Sequence, residues 1–249
     1  MTFLNNAPPA PSSDWAYFLD VDGTLIEIAE TPAAVQVDIA LLDLITRLSH
    51  ASHGAVALVS GRSLSNLTGL LGRLDLPMAG LHGLERRDAN GKLWKQTTPH
   101  PDIAKIKKAL APALELYPGL LLEDKGMTLA LHYRRVPQLG KYVDLIMNCL
   151  VQRADADLEI QRGKCVIEIK PVGGDKGTAI AAYLAESPFH GRRPVFIGDD
   201  LNDERGFAHI NELNGISIKV GTGESCARFR LPDEAAVRLW LADAMKDPL

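Results

Sequence analysis

The sequence predicts an α/β protein, in which a parallel-sheet core is interrupted by a smaller α+β insertion. Apolar runs at 16–25 (AYFLDVDGTL), 55–61 (AVALVSG) and 195–200 (VFIGDD) alternate with helical periodicity, the pattern of buried parallel strands joined by helices. Two of these runs end in acids. Between them, hairpin signals and short strands replace the alternation, so a second unit is expected inside the first.

The elements follow in order. The first dozen residues are rich in Pro, Asn and Ser and are expected to be frayed. Residues 35–49 place Leu41, Leu44, Ile45 and Leu48 at helical spacing between the first two strands, which gives a right-handed βαβ unit. A helix at 64–71 and a strand at 78–81 continue the alternation, and the core is therefore Rossmann-like. Residues 83–96 read as a hairpin turning at Asn90-Gly91, and Pro99 and Pro101 mark a boundary. A helix at 102–116, a strand at 127–133, a helix at 138–153 and strands near 157–161 and 165–170 make the insertion. Residues 171–174 lead out of it. A helix at 175–186, the strand at 195–200, a helix at 203–210, a strand at 216–220 and a helix at 233–246 complete the core. The predicted organisation is a discontinuous core, 1–100 and 171–249, around an α+β domain at 101–170.

Composition limits the function. The 27 Lys+Arg against 31 Asp+Glu give a net charge of −4, which lacks the basic field that binding a phosphate backbone requires; nucleic acid is not the expected partner. Cys149, Cys165 and Cys226 form no CxxC pair, so reduced thiols and a cytoplasmic location are expected. The N-terminus lacks a charged region followed by an apolar one, so no signal peptide is read. No apolar run reaches the length of a membrane span.

Four segments carry chemistry. Asp20-Val21-Asp22-Gly23-Thr24 closes a buried strand, at the sheet edge where α/β proteins bind ligands. Two carboxylates there are costly unless a cation holds them, and hard oxygen ligands suit Mg²⁺; an Asx turn is the plainer alternative. Gly198-Asp199-Asp200-Leu201-Asn202-Asp203 ends a second buried strand. Its acids suit either a metal or a helix N-terminus. Ser60-Gly61-Arg62 offers a hydroxyl and backbone N–H groups, as a phosphate cradle or a capping turn. Asp175-Lys176-Gly177 starts a helix with a lysine that opposes the dipole, unless an anion lies near or the lysine is simply solvated.

In this order, the four segments resemble the four motifs of the haloacid dehalogenase (HAD) superfamily of phosphotransferases. The resemblance implies that Asp20 is the nucleophile, forming an aspartyl-phosphate, and that Asp22 is the general acid/base. It implies that Ser60 hydrogen-bonds the phosphoryl group and Lys176 balances charge. Mg²⁺ is the implied cofactor, held by Asp20, Asp22 and Asp199 with Asp203 supporting, while Asp200 either shares that task or holds the loop. An acid two residues after the nucleophile favours water as the acceptor, hence a phosphatase.

The insertion has the position and length of the larger HAD cap, where substrate choice would reside. Glu123 and Lys125 share strand parity, as do Val166, Glu168 and Lys170, so a polar sheet face suited to sugar hydroxyls is expected; ordinary solvated charges are the alternative. These segments, with His132-Tyr133-Arg134 and the stretch Gly80-Leu81-His82-Gly83-Leu84-Glu85, resemble the trehalose-6-phosphate phosphatase family. That implies a sugar site built from Glu123, Lys125, His132, Arg134 and Glu168, although family members commonly have Ala where this chain has Leu84. Arg62, Arg134 and Arg135 are each candidates to hold phosphate or to pair with acids elsewhere. The implied reaction is hydrolysis of trehalose 6-phosphate. The competing readings are a phosphatase for another sugar phosphate, such as sucrose 6-phosphate or mannosyl-3-phosphoglycerate, and a non-catalytic sugar-phosphate sensor.

Overall fold

The computed structural model describes residues 7–31, 34–72, 74–95 and 101–245. The chain begins with β1 (Ala16–Leu19), α1 (Ile39–Ala51), β2 (Val56–Val59), α2 (Leu64–Leu71), β3 (Met78–Gly80) and the pair β4 (Glu85–Arg87) and β5 (Leu93–Lys95). It continues through α3 (Pro101–Leu116), β6 (Leu121–Asp124), β7 (Leu129–His132), α4 (Gly140–Gln152), β8 (Leu158–Gly163) and β9 (Val166–Pro171). It ends with α5 (Lys176–Leu184), β10 (Pro194–Gly198), α6 (Glu204–Glu212), β11 (Ile216–Val220), β12 (Phe229–Leu231) and α7 (Glu234–Asp243). Contacts divide it into two units, Met1–Trp94 with Asp175–Leu249, and Lys95–Gly174.

The first unit holds an eight-stranded sheet in the order β12-β11-β10-β1-β2-β3-β4-β5. Its strands from β12 to β3 pair in parallel, and β4 turns back antiparallel on β3. This is the Rossmann-like core that the alternation predicts. Parallel strands are covered on both faces and read as continuous apolar runs. Accordingly Tyr17, Leu19, Val56, Leu58, Val195 and Ile197 pack into one core layer, while Phe18, Ala57, Val59 and Phe196 pack into the other.

Several boundaries differ from expectation. The first helix starts at Ile39 rather than 35, because Asp38 caps it, its carboxylate accepting the Leu41 N–H at 2.7 Å. The short strand β12 is an addition. The described part of the N-terminal segment is tied down rather than frayed: Pro9 O accepts from Trp240 Nε1 at 3.0 Å, and Ser12 O accepts from the Tyr17 hydroxyl at 2.7 Å. Trp240 also meets the rings of Trp15 and Tyr17, at 6.5 and 6.4 Å between centroids. Residues 1–6, the expected boundary at Pro99 and the last residue of the expected 233–246 helix lie outside the described residues. Among the described residues, no helix is long and apolar enough to cross a membrane.

The second unit is an antiparallel sheet, β6-β7-β9-β8. Ile103, Ile106 and Leu110 of α3 and Val143 and Met147 of α4 pack with Leu129, Leu131, Ile167 and Ile169 on one face. Strict alternation sends Glu123, Ala130, Glu168 and Lys170 to the other. Ala130 pairs with Glu123 on one side and Glu168 on the other, so those acids flank a methyl group.

Candidate active site

Parallel register places the ends of β1 and β10 side by side, with Leu19 opposite Ile197 and Asp20 N–H donating to Ile197 O at 3.0 Å. The next residues in each strand are the acids. Asp20, Asp199 and Asp203 are buried, and each offers a carboxylate oxygen within 4.8 Å of the others. Lys176, the first residue of α5 and 2% exposed, bridges them: its Nζ lies 2.7 Å from Asp20 Oδ1 and 2.6 Å from Asp203 Oδ1. The solvated alternative for this lysine is thereby excluded. Asp203 completes its coordination by accepting the Asp199 and Asp200 N–H groups on Oδ2, both at 2.9 Å. Asp200 holds the loop, its Oδ1 accepting the Leu201 N–H at 2.7 Å.

Two close approaches depend on glycine. Gly23 has φ +77°, a conformation that suits a residue without Cβ, and a Cβ there would overlap the Asp199 carboxylate. A Cβ at Gly198 would overlap the Asp203 carboxylate in the same way.

Burial pushes the Asp20 carboxyl well above the usual carboxylate range; Lys176 opposes this, while Asp203 and Asp199 add to it. Burial pulls the Lys176 ammonium down, but the charges of Asp20 and Asp203 outweigh that and raise it above its ordinary value. The site therefore gathers three carboxylates against Lys176 and the buried Lys219, whose Nζ donates to the Asp199 carbonyl. A buried excess of oxygen anions fits a hard divalent cation. Lys219 escaped sequence reasoning; a lysine near the end of the apolar strand ISIKV was its only signal.

Asp22 does not join this cluster. Its turn carries it towards Arg62, which holds the carboxylate with Nε at 2.6 Å and Nη2 at 2.7 Å. Asp22 thus lies apart from the three-carboxylate cluster in this arrangement, and the Arg62 fork faces Asp22. Ser60 is buried, and its Oγ accepts the Arg62 N–H at 3.2 Å. The stretch from Gly80 to Glu85 braces this loop. His82 N–H donates to Ser60 O at 3.0 Å, a Cβ on Gly61 would lie 2.6 Å from the His82 ring, and Glu85 Oε1 accepts the Leu64 N–H at 2.6 Å.

In the second unit, Glu168 is bracketed by Lys125 Nζ at 2.9 Å and by the Thr128 hydroxyl at 2.5 Å, and Glu123 pairs with His132 Nε2 at 2.9 Å. Burial raises the Glu123 carboxyl, but the His132 hydrogen bond and the Lys125 charge overcome this and hold it below its ordinary value. The Arg134 guanidinium donates to Lys164 O at 2.8 Å, apart from these pairs. Lys170, expected on the polar face, is fully buried there; it bonds Glu159 at 2.5 Å and donates to Gly174 O. Thr128 escaped sequence reasoning because a lone polar residue beside a short apolar strand reads as solvated.

The family model described as trehalose-phosphatase matches residues 18–235. The chain is 47% identical over 236 residues to the trehalose-6-phosphate phosphatase of Escherichia coli (strain K12), covering 94% of this chain and 87% of that protein. In fold it is similar to the C-terminal domain of the C. albicans trehalose-6-phosphate phosphatase, with TM-score 0.84, 22% identity, and 97% of this chain and 100% of that one covered. A crystal structure of a trehalose-6-phosphate phosphatase related protein aligns with TM-score 0.71 at 27% identity, over 90% of this chain and 94% of that one. Taken with the four motifs converging on one sheet edge, these likenesses settle the family: the chain belongs to the trehalose-phosphatases, enzymes that hydrolyse a phosphate monoester.

Proposed function

We propose that this chain is a Mg²⁺-dependent phosphatase that converts trehalose 6-phosphate to trehalose and phosphate through phospho-Asp20, in the cytoplasm. The observation that carries the reading is the Lys176 bridge between Asp20 and Asp203 within a buried carboxylate cluster. Free thiols at Cys149, Cys165 and Cys226 support the cytoplasmic location.

An Asp20 carboxylate oxygen attacks the phosphorus, the bond from phosphorus to the sugar oxygen breaks, and that oxygen takes a proton from Asp22. Water then attacks the phosphorus of phospho-Asp20 and gives a proton to Asp22, which releases phosphate and regenerates the Asp20 carboxylate. Lys176 offsets the repulsion between Asp20 and the anionic phosphate. Asp20 and Asp199 would hold Mg²⁺, with Asp203 fixing Asp199 and Lys176 around it, and the ion would neutralise charge on the phosphoryl oxygens. Ser60 would donate to the phosphoryl group. Residues 101–170 act as the specificity domain, in which Glu123, Lys125 and Glu168 read sugar hydroxyls and His132 orients Glu123.

The test is a panel of phosphorylated sugars with Mg²⁺, run beside Asp20→Asn. Trehalose 6-phosphate is expected to give the highest kcat/KM and Asp20→Asn to remove activity. Comparable kcat/KM on sucrose 6-phosphate or several monosaccharide phosphates would overturn the substrate, and full activity in Asp20→Asn would overturn the mechanism.

A further inference from the structure

Arg62 is a buried guanidinium with a fixed orientation. Its Nε and Nη2 hold both oxygens of Asp22, while Nη1 donates to Asn66 Oδ1 at 2.7 Å. Asn66 belongs to the first turn of α2, and its own N–H is capped by Ser63 Oγ at 3.2 Å. The guanidinium plane is thus pinned from the side opposite Asp22. A planar fork delivers two parallel hydrogen bonds only when that plane is correctly turned, so the acceptor at Nη1 determines how squarely the other two donors meet Asp22. The Asp22 side chain is 31% exposed and sits just before the turn at Gly23.

We infer that Asn66 is a positioning residue for the proton-transfer step: through Arg62 it fixes the direction in which the Asp22 carboxyl points, without touching substrate. The inference rests on the reading of Asp22 as the general acid/base. The juxtaposition of Asn66, Arg62 and Asp22, linked by bonds of 2.7, 2.6 and 2.7 Å, is what carries it.

The leaving group makes this testable. A sugar oxygen needs a proton as it departs, whereas nitrophenolate leaves without one, and kcat/KM reports only events up to formation of phospho-Asp20. Asn66 is exposed, so replacing it leaves the fold intact. Asn66→Ala is expected to lower kcat/KM for trehalose 6-phosphate about tenfold, a part of the 10²–10⁴ that general acid catalysis contributes. Its kcat/KM for p-nitrophenyl phosphate should stay within about twofold. Asn66→Asp, which keeps an acceptor oxygen for Nη1, should recover the sugar-phosphate rate. Equal losses on both substrates, or no loss on the sugar phosphate, would overturn the inference. Asp22→Asn serves as the control: it should show the same split in larger measure. If Asp22→Asn affects both substrates alike, the acid role of Asp22 itself fails. If Asp22→Asn splits the substrates and Asn66→Ala does not, only the role of Asn66 fails.

Discussion

Replacing Gly80 by alanine tests whether the β3 end sets the position of the Ser60–Arg62 loop. Gly80 has ordinary backbone angles, φ −108° and ψ 166°, so alanine meets no conformational penalty and the effect is purely steric. Its Cβ would lie 2.8 Å from both Arg62 O and Leu64 N, and 3.2 Å from Glu85 Oε1. Ordinary contact begins at 3.4 Å, so the loop backbone must retreat by about 0.6 Å, and it cannot do so by turning a side chain. Arg62 O also accepts the Leu81 N–H at 2.9 Å, so the retreat strains that bond as well. Overpacking of this kind costs about 1–3 kcal/mol, or roughly 2–4 °C of melting temperature for each kcal/mol in a domain of this size. A displacement near 1 Å can cost about 100-fold in rate; a shift of about 0.6 Å to Ser60 and Arg62 is therefore expected to lower kcat/KM roughly tenfold. Thermal melting and steady-state kinetics measure the two effects. A Gly80→Ala protein with unchanged melting and kcat/KM within twofold would refute the argument that the loop is wedged by backbone contact.

Other expectations follow from the same geometry. Lys176→Met leaves Asp20 and Asp203 facing each other without their shared cation; kcat/KM should fall by about 10²–10³, and stability by about 3–5 kcal/mol, read by phosphate release and denaturant titration. Thr128→Val removes one donor from Glu168 at nearly constant volume, so KM for the sugar phosphate should rise several-fold while p-nitrophenyl phosphate hydrolysis is unaffected. Because the Glu123 carboxyl is held below its ordinary 4.5, its pairing contributes stability that is fully present above that value and is lost as pH falls through the lower folded value. Melting temperature should therefore drop below about pH 4.5, and Glu123→Gln should make the drop shallower; an unchanged pH profile in that variant would exclude the contribution.

Much of the core was legible because parallel strands announce themselves as apolar runs: β11 and α2 fall on the residues their patterns indicate, and the two acid-tipped strands meet as adjacent register requires. The start of α1 was not legible, since Val35 and Val37 extend the apolar pattern past a cap that only Asp38 enforces. The division of labour between Asp20 and Asp22 was equally hidden. Spacing puts both acids at one turn, but Gly23 and the far-off Arg62 decide that one joins the carboxylate cluster and the other does not. Long-range partners of this kind, like Thr128 for Glu168 across 40 residues, leave no local signal. Lys170 and Lys219 misled for the same reason, because a lysine in a strand is solvated unless a distant carbonyl or carboxylate is waiting for it.

The indole of Trp240, fastened to Pro9 and set against Trp15, gives the molecule a convenient optical asymmetry. All three tryptophans, at 15, 94 and 240, belong to the sheet-bearing unit, whereas Lys95–Gly174 contains tyrosines 117, 133 and 142 and no indole. Excitation selective for indole therefore reports on one unit alone. The other is seen through its phenols, of which Tyr117 and Tyr142 meet edge to face at 5.3 Å. Loss of structure in the inserted unit would leave the indole emission maximum in place while the tyrosine circular dichroism lost only the share of these three phenols, since Tyr17 and Tyr183 are buried in the sheet-bearing unit. The order in which the two halves of this chain melt can thus be recorded on the unlabelled protein in a single heating ramp.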